Sequence, residues 1–469
     1  MPMSDDPRIL LADGDTASAT KVSIIAGPQC EAALSGLGEA ESSYARAVGF
    51  QAAIGQIAYL PDADGKVGQV LFGTGARQIS GEPFLAGMLA RRLAPGTYRL
   101  AGPAGESRLA ALGFLLGGYR FEKYKTQAGG AQNGGRAKLA LGKGIDRDEI
   151  LRAADATYLA RELINRPAND LGPEQIAEAM TALAGKFGAK IDIVSGKALE
   201  EGFPMVFAVG QASPRRPLLV DMTWGDPSAP KVTLVGKGVV FDTGGLNIKP
   251  GSSMALMKKD MGGAANVLGL AHMIMSAGLN VRLRVLVPTV ENAIDGSAFR
   301  PGDILRSRKG LTVEIGNTDA EGRLILADAL ALADEESPQT LISMATLTGA
   351  ARVALGPDLP PFYCDDDEFS KALSAASNAE SDPVWRMPLW KPYNAMLASK
   401  VADVNHISGG SFAGSVTAAL FLDRFVEKAG RFAHFDVYGW TPTARPASPE
   451  GGEAQAIRAL FHILAADFG

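Results

Sequence analysis

The sequence predicts an α/β protein with a larger C-terminal domain, in which helices flank a mostly parallel mixed sheet, and a smaller N-terminal α/β domain. Two observations support this class. The chain has 469 residues, of which 46% are hydrophobic and 21% charged, so it can form large apolar cores. From about residue 173 onward, apolar runs of strand length alternate with segments of helix length, which is the pattern of βαβ units.

The N-terminal part mixes short apolar runs with glycine-rich turns, which is typical of a small α/β domain. Residues 127–135 (Gln-Ala-Gly-Gly-Ala-Gln-Asn-Gly-Gly) predict a loop or a domain boundary, because they are poor in apolar side chains and rich in glycine. Apolar residues at helical spacing predict a helix over 146–164. We therefore expect an N-terminal domain over 1–130, a linker loop and connecting helix over 131–168, and a second domain over 169–469.

The C-terminal part contains five strand candidates and four helix candidates. The strands are predicted at 232–235, 281–287, 311–315, 341–344 and 433–437. The helices are predicted at 173–187, 263–276, 321–336 and 414–429. Because ligands of parallel α/β sheets bind at the carboxyl ends of the strands, we expect the functional residues in the loops after Val235, Ile315 and Met344.

Composition and charge argue against several classes of function. Lys and Arg number 46 against 51 Asp and Glu, which gives a net charge of −5, and no long basic block occurs, so nucleic acid and anionic membranes are not expected as partners. The two cysteines, Cys30 and Cys364, allow neither a disulfide framework nor a multi-cysteine zinc site and suit a reducing compartment. The acidic N-terminus is unlike a secretory signal, and no run approaches the ~18 apolar residues of a membrane helix.

The segment 235–245 (Val-Gly-Lys-Gly-Val-Val-Phe-Asp-Thr-Gly-Gly) is the first candidate for chemistry. It is not a dinucleotide fingerprint, because Phe241 stands where a glycine is needed, and it is not a P-loop, because Gly follows Lys237. Asp242-Thr243-Gly244 matches the aspartic protease motif, but no second copy supplies the partner carboxylate. The structural alternative is a turn in which Lys237 and Asp242 are surface charges.

Two further segments carry acidic residues at predicted helix starts. Asp260 precedes an apolar helix, and a purely structural N-cap is the alternative interpretation. In 316–324 (Gly-Asn-Thr-Asp-Ala-Glu-Gly-Arg-Leu), Thr318 and Glu321 fit a capping box, with Asp319 as a helix-dipole charge.

Taken together, the acidic residues indicate a metal site. Four carboxylates fall at strand ends or helix starts on the same predicted sheet edge: Asp242, Asp260, Asp319 and Glu321. In one cleft they cannot all stay ionised unless their charge is compensated. Two divalent cations would compensate it. Only four histidines occur and none forms a His-x-x-x-His pair, so mostly oxygen ligands are expected, and these suit hard or borderline metals.

These motifs resemble the leucine aminopeptidase (cytosol aminopeptidase) family of dinuclear metallopeptidases. The most specific match is 317–324 (Asn-Thr-Asp-Ala-Glu-Gly-Arg-Leu), together with the spaced residues Lys237, Asp242, Lys249 and Asp260. The resemblance is strong over about 150–440 and weak before 125. It implies a metal-dependent aminopeptidase that removes the N-terminal amino acid of peptides, with a leucine-like preference, through a water bridged by two metals.

The resemblance also implies a role for individual residues. A tightly bound metal would be held by Lys237, Asp242, Asp260 and Glu321. An exchangeable metal would be held by Asp242, Asp319 and Glu321. Lys249 would stabilise the oxyanion, and Arg323 would hold bicarbonate as the general base. The substrate-lining positions would be Met257, Asn317, Thr346, Leu347 and Gly349, although ordinary core packing is the alternative for Met257 and Leu347.

Further expectations concern the metal, the assembly and the specificity. The resemblance implies zinc or manganese, a homohexamer and a cytoplasmic location. The sequence departs from the family pattern at Tyr438 and Trp440, where many relatives have small or aliphatic residues, and this departure bears on side-chain preference. A dipeptidase-like relative with the same site, a DNA-binding architectural protein and a catalytically inactive scaffold are the alternatives.

Overall fold

The computed structural model describes residues 5–13, 16–102, 105, 107–126 and 135–469. The predicted loop over 127–135 lies, up to residue 134, outside the described residues, as does the N-terminal segment 1–4. The chain forms two compact units. One consists of Pro2–Tyr158 and Thr443–Glu450, and the other of Leu159–Pro442 and Gly451–Gly469.

The N-terminal unit is a small α/β domain, as predicted. Its strands are β1 (Thr20–Ile25), β2 (Ile57–Pro61), β3 (Val67–Gly73), β4 (Gly96–Ala101) and β5 (Ala137–Leu139). Its helices are α1 (Cys30–Ser35), α2 (Glu39–Ala47), α3 (Leu89–Arg92) and α4 (Arg108–Gly118), and α5 (Arg147–Asn165) continues into the second unit. The sheet order is β2-β3-β1-β4-β5, and only the β2–β3 pair is antiparallel.

The second unit contains the larger sheet and most of the helices. Its helices are α6 (Pro173–Phe187), α7 (Gly196–Gly202), α8 (Pro204–Gly210), α9 (Gly251–Met254), α10 (Gly262–Ala277), α11 (Glu321–Glu335), α12 (Gly349–Leu355), α13 (Asp367–Ala379), α14 (Gly414–Asp423) and α15 (Ile457–Phe468). The strands of its main sheet are β6 (Lys190–Ser195), β7 (Leu218–Trp224), β8 (Lys231–Gly236), β9 (Gly238–Asp242), β10 (Arg282–Asn292), β13 (Thr340–Ala345), β14 (Pro361–Tyr363), β15 (Trp385–Arg386) and β17 (Phe432–Asp436). Two smaller sheets contain β11 (Ile304–Arg306), β12 (Thr312–Glu314) and β16 (Val404–Asn405), and β18 (Trp440–Thr441) and β19 (Gly451–Gly452).

The main sheet confirms the prediction of a mostly parallel mixed sheet flanked by helices. Its order is β15-β14-β17-β13-β8-β10-β7-β6, and β9 also pairs with β10. The central pairs β17–β13, β13–β8 and β8–β10 are parallel, whereas β7 and β6 are antiparallel additions at one edge. The central strands are buried almost throughout, which explains why their sequences are continuous apolar runs.

Three predicted elements differ from the structure. The strand predicted at 281–287 is β10, which runs on to Asn292. The strand predicted at 311–315 is β12, which belongs to the three-stranded sheet and not to the main one. Its sequence alternates apolar and polar residues, as a half-exposed strand does. The helix predicted at 414–429 ends at Asp423, because the carboxylate of Asp334 accepts the backbone N–H groups of residues 427–429 in place of helical bonds.

Cys30 and Cys364 are both buried free thiols. None of the described helices combines the length and the apolar character that a membrane crossing requires.

Candidate active site

A cavity of about 220 Å³ lies in the second unit where β8, β9 and β13 end. Ten of the twelve residues singled out from the sequence line it: Lys237, Asp242, Lys249, Met257, Asp260, Asp319, Glu321, Thr346, Leu347 and Gly349. Asn317 and Arg323 are not among the described residues that line it. Asp319 and Glu321 reach the cavity from the end of β12, so the expectation that all four carboxylates lie on one sheet edge is wrong.

Lys237 joins two of the carboxylates. It follows β8 directly, and its side chain is only 3% exposed. Its Nζ lies 2.7 Å from Asp260 Oδ2 and 2.9 Å from Glu321 Oε1, and it donates a hydrogen bond of 3.0 Å to the carbonyl oxygen of Thr346. The interpretation of Lys237 as a surface charge is therefore wrong.

Lys249 joins the other two carboxylates. Its Nζ lies 2.8 Å from Asp242 Oδ2 and also forms an ion pair with Asp319 Oδ1. Asp242 is held from the other side, because its Oδ1 accepts hydrogen bonds of 2.8 Å from the backbone N–H of Gly244 and from Asn292 Nδ2. Asp242 is buried and is no surface charge either.

The turn after β9 must be glycine for Asp242 and Asp319 to approach each other. Gly244 has φ +87°, a conformation that side chains disfavour. A Cβ at Gly244 would lie 2.5 Å from the carbonyl oxygen of Asn247 and 3.0 Å from Asp319 Oδ1. Gly244, two residues after Asp242, is thus required by the site.

Asp260 is a site residue and not a helix cap. The N-cap of α10 is Met261, which makes no side-chain capping bond. Asp260 Oδ1 instead accepts a hydrogen bond of 2.8 Å from Thr346 Oγ1, while Oδ2 faces Lys237. Thr346 therefore contacts the ligand candidates themselves through both its hydroxyl and its carbonyl oxygen.

The predicted capping box at the start of α11 is also absent. The N-cap is Ala320, and Thr318 Oγ1 donates to the carbonyl oxygen of Gly244 at 2.6 Å and accepts from the N–H of Asn247 at 2.8 Å. Thr318 thus ties the segment that carries Asp319 to the turn after Asp242.

Burial and mutual repulsion govern the charge of the cluster. Burial, reinforced by the negative charge of Asp242, raises the pKa of Glu321 well above its usual range. The pKa of Asp319 is raised by the same two causes. For Asp260, burial is again the main cause of a raised pKa. This is the behaviour of carboxylates that lack sufficient positive charge nearby.

The two lysines respond in the opposite sense. Burial alone would lower the pKa of Lys237, but the charges of Asp260 and Glu321 outweigh it and raise the pKa above its ordinary value. The pKa of Lys249 is raised for the same reason, chiefly by Asp242. In the absence of a metal, both side chains are therefore ammonium ions that partly neutralise the carboxylates.

The carboxylates form a set that fits a hard cation. One oxygen each of Asp242, Asp319 and Glu321 lies within 4.8 Å of the others. Glu321 Oε2 is buried and accepts no hydrogen bond from any residue that the structure describes. Buried carboxylate oxygens in this arrangement are the ligands that divalent metal ions take in proteins.

Arg323 and Asn317 are the two singled-out residues that are not among the cavity lining. Arg323 is buried, its Nη1 donates a hydrogen bond of 2.7 Å to the carbonyl oxygen of His406, and burial lowers its pKa to about 10. Asn317 Oδ1 accepts a hydrogen bond of 2.8 Å from the N–H of Asp319, so its side chain positions a ligand candidate.

Two residues that contribute to the site were not singled out from the sequence. Asn292 ends β10 and orients Asp242, but the strand predicted at 281–287 stops five residues before it, so its position at the end of a central strand was not recognised. Lys259 lines the cavity as a buried cation, and burial lowers its pKa to about 8. No local pattern indicates its burial, because lysine is rarely buried.

Comparison with known proteins gives a consistent result. The cytosol aminopeptidase family, catalytic domain, matches residues 158–461, and the M17 aminopeptidase N-terminal domain matches residues 21–140. A probable cytosol aminopeptidase of Chelativorans sp. is 44% identical over 358 residues, which cover 74% of this chain and 71% of the relative. One from Roseiflexus castenholzii is 40% identical over 366 residues, 75% of each chain.

Solved structures agree with the sequence matches. The crystal structure of cytosol aminopeptidase from Coxiella burnetii superposes with a TM-score of 0.92 at 43% identity and covers 97% of this chain and 99% of its own. The bottromycin maturation enzyme BotP in complex with Mn gives a TM-score of 0.85 at 34% identity, covering 96% and 99%. This chain therefore belongs to the cytosol aminopeptidase family and is a metallo-exopeptidase hydrolase.

Proposed function

We propose that the cluster holds two divalent metal ions and that the chain uses them to remove N-terminal amino acids from peptides. Lys237, Asp242, Asp260 and Glu321 would hold one ion, and Asp242, Asp319 and Glu321 the other. The observation that carries this proposal is the convergence of Asp242, Asp319 and Glu321, whose oxygens lie within 4.8 Å of one another. Zinc and manganese are the proposed metals, and Mn is present in the related BotP structure.

Metal ions bound at this cluster would supply the chemistry that two-metal sites have in common. When bound, two metal ions lower the pKa of a water that they share and polarise the carbonyl group of the bond to be cleaved. Lys237 can act as a ligand only as a neutral amine, so it must release the proton that its carboxylate partners hold in place. Binding of metal is therefore expected to become stronger as the pH rises.

Lys249 is the proposed oxyanion-stabilising residue. Its ammonium group is anchored by Asp242 and Asp319 and lies at the cavity wall, and in the metal-free chain these carboxylates raise its pKa. An anchored cation of this kind stabilises negative charge that develops on a carbonyl oxygen, and the loss of such a contact typically costs ~3–4 kcal/mol of transition-state stabilisation.

Arg323 is the proposed bicarbonate-holding residue, with bicarbonate as the general base. Its Nη1 is engaged by the carbonyl oxygen of His406, whereas its Nε has no hydrogen-bond partner among the described residues and is left for an anion. Activity that rises with added bicarbonate in the chain but not in an Arg323→Met variant would support this role.

The substrate would be a peptide with a free N-terminus. Met257, Leu347 and Gly349 line the cavity next to the cluster and provide an apolar wall, which favours a leucine-like side chain. We also propose a homohexamer, with a mass about six times 48.9 kDa, and a cytoplasmic location as the name of the relatives suggests. Sedimentation as a monomer would contradict the hexamer.

Hydrolysis of leucine p-nitroanilide with and without a chelator tests the proposed activity. The chelator is expected to abolish cleavage, and added Mn²⁺ or Zn²⁺ to restore it. Asp319→Asn keeps the size of the side chain but removes the charge, so we expect a loss of at least about a hundredfold in kcat/KM together with weaker metal binding. Cleavage that survives chelation, or an Asp319→Asn variant with full activity, would contradict the proposal.

A further inference from the structure

Lys259 is a buried cation that the proposed metal chemistry does not use. It lines the cavity, and the residue is only 5% exposed. Its ammonium group forms neither a hydrogen bond nor an ion pair with any residue in the described part of the chain, and it lies 4.4 Å from the centre of the Tyr438 ring. A cation–π contact compensates only part of the cost of burying a charge.

The carboxylates that act on Lys259 are committed to other partners. Asp260 contacts Lys237 and Thr346. Asp436 accepts hydrogen bonds from the N–H of Leu347 at 3.0 Å, from the N–H and hydroxyl of Thr348 and from Ser415. A buried lysine is stable when an anion pairs with it, and the described residues supply no such anion within ion-pair distance.

A second cation lies at the same ring. Arg352, on α12, lines the cavity and is exposed, and its guanidinium lies 6.0 Å from the centre of the Tyr438 ring. Within the described chain it has no ion-pair partner. Lys237 and Lys249 differ in this respect, because each of them pairs with two carboxylates. We refer to Lys259, Arg352 and Tyr438 as the cationic wall.

We propose that the cationic wall binds the side-chain carboxylate of an N-terminal glutamate or aspartate, so that the substrates of this chain include acidic N-terminal residues. The inference rests on the proposed aminopeptidase function and names a substrate class for it. The side chain of the residue to be released must lie next to the metal cluster, and Lys259 directly precedes Asp260 in the chain. The apolar wall of Met257 and Leu347 would contact the methylene groups of the same side chain.

The test compares substrates that differ only in this charge. We expect kcat/KM for glutamate p-nitroanilide to exceed that for glutamine p-nitroanilide by at least about tenfold, the value of a charge-assisted hydrogen bond. In Lys259→Met, which leaves Arg352 as the remaining cation of the wall, the ratio should fall severalfold towards one. Lys258→Met is the matched control, because Lys258 does not line the cavity and donates to the carbonyl oxygen of Asn165, and it should keep the ratio.

Equal rates for the glutamate and glutamine substrates in the unaltered chain, or an unchanged ratio in Lys259→Met, would overturn the inference. So would a preference for Leu-Gly over Leu-Gly amide with no preference for glutamate, because the wall would then bind the C-terminal carboxylate of a dipeptide. Calorimetry with free L-glutamate and L-glutamine on the metal-loaded chain gives a readout without turnover. If no amide is cleaved but L-glutamate binds at least about tenfold more tightly than L-glutamine, the proposed aminopeptidase function is contradicted, whereas carboxylate binding by the cationic wall is supported.

Discussion

Asn292 holds Asp242 in place through its side-chain amide. Its Nδ2 donates to Asp242 Oδ1 at 2.8 Å and to the carbonyl oxygen of Thr318 at 3.1 Å, and the residue is fully buried. One amide thus fixes the positions of a proposed shared ligand and of the segment that carries Asp319. Replacement of residues that orient metal ligands in this way typically lowers metal affinity or activity by about 10–100-fold.

Substitution of Asn292 tests this positioning role. Asn292→Ala is expected to reduce metal affinity and kcat/KM by about 10–100-fold, because Asp242 loses the donor that orients it. Metal titration followed by elemental analysis measures the first effect, and steady-state kinetics at saturating metal the second. Asn394→Ala, which removes a side chain bonded to Arg424, is the control. Unaltered metal affinity in Asn292→Ala would contradict the role.

Individual site residues could be nominated from the sequence, but their environment could not. Asp260 and Thr318 fit helix-capping patterns, and the structure shows that each makes tertiary contacts instead. A capping pattern depends only on neighbours within four residues, whereas Thr346 and Gly244 lie more than 70 residues away from the groups they contact. The burial of Lys259 and the role of Asn292 depend on such distant partners and were missed for this reason.

The first turn of α11 must approach the Lys237 side chain closely. A Cβ on Gly322 would lie 2.5 Å from Lys237 Cε, and Lys237 cannot move aside without losing its contacts with Asp260 and Glu321. Alanine would otherwise favour the helix by roughly 0.5–1 kcal/mol. The clash of the added Cβ with Lys237 therefore disturbs the metal site, whereas the higher helix propensity of alanine affects only the stability of α11.

Gly322→Ala is therefore expected to leave the fold intact but to weaken metal binding and activity by about tenfold or more. Thermal unfolding should show a midpoint close to that of the unaltered chain, and metal titration should show the lower affinity. Gly185→Ala in α6 is the matched control, since no atom lies within 4 Å of the added Cβ. A Gly322→Ala variant that binds metal as tightly as the control would show that Lys237 is not a ligand.

Elements with strong local signals could be predicted from the sequence. The helix at 173–187 has the predicted bounds, with Pro173 in its first turn and Gly188 in a left-handed conformation at its end. The antiparallel strands β6 and β7 were missed. Their pairing at the sheet edge is set by long-range contacts, and β6 has no buried residue and carries no continuous apolar run.

At the scale of the whole molecule, two buried histidines link stability to pH. Burial, with the charge of Arg323 as a second cause, lowers the pKa of His406 to about 3 and that of His434 to about 3, from an ordinary 6.5. Between these values the unfolded chain binds more protons than the folded chain. The contribution of these two histidines to the free energy of unfolding therefore falls as the pH drops below about 6.5.

Denaturant unfolding of the metal-free chain at several pH values tests this linkage. Each histidine should contribute a slope of up to about 1.4 kcal/mol per pH unit. The buried carboxylates with raised pKa values contribute a slope of opposite sign, but they are the same in the unaltered chain and in His434→Gln, so the comparison cancels them. The slope of the unfolding free energy against pH, measured between pH 6.5 and pH 5, should therefore be smaller in His434→Gln by up to about 1.4 kcal/mol per pH unit. His462→Gln, at a half-exposed side chain, is the control. An identical slope in His434→Gln would show that His434 is protonated in the folded chain.

The two-domain α/β class followed from composition and from the alternation of helix and strand patterns, because these average over many residues. The convergence in one cavity of residues that follow β8, end β9, follow β13 and begin α11 depends on the order of the strands, which no local pattern specifies. The predicted domain bounds of 130 and 168 stay predictions. The boundary between the two compact units falls within α5, and residues 443–450 belong to the N-terminal unit although they lie far along the chain.

Metal stoichiometry measured alongside turnover tests the central claim most directly. After dialysis against Mn²⁺ or Zn²⁺, elemental analysis should give two ions per chain, and cleavage of an aminoacyl amide should rise with occupancy. Asp242→Asn should hold fewer ions and lose activity in parallel, because Asp242 is a proposed ligand of both. A fully active chain with fewer than one ion bound would contradict the claim that these carboxylates act by holding a pair of metal ions.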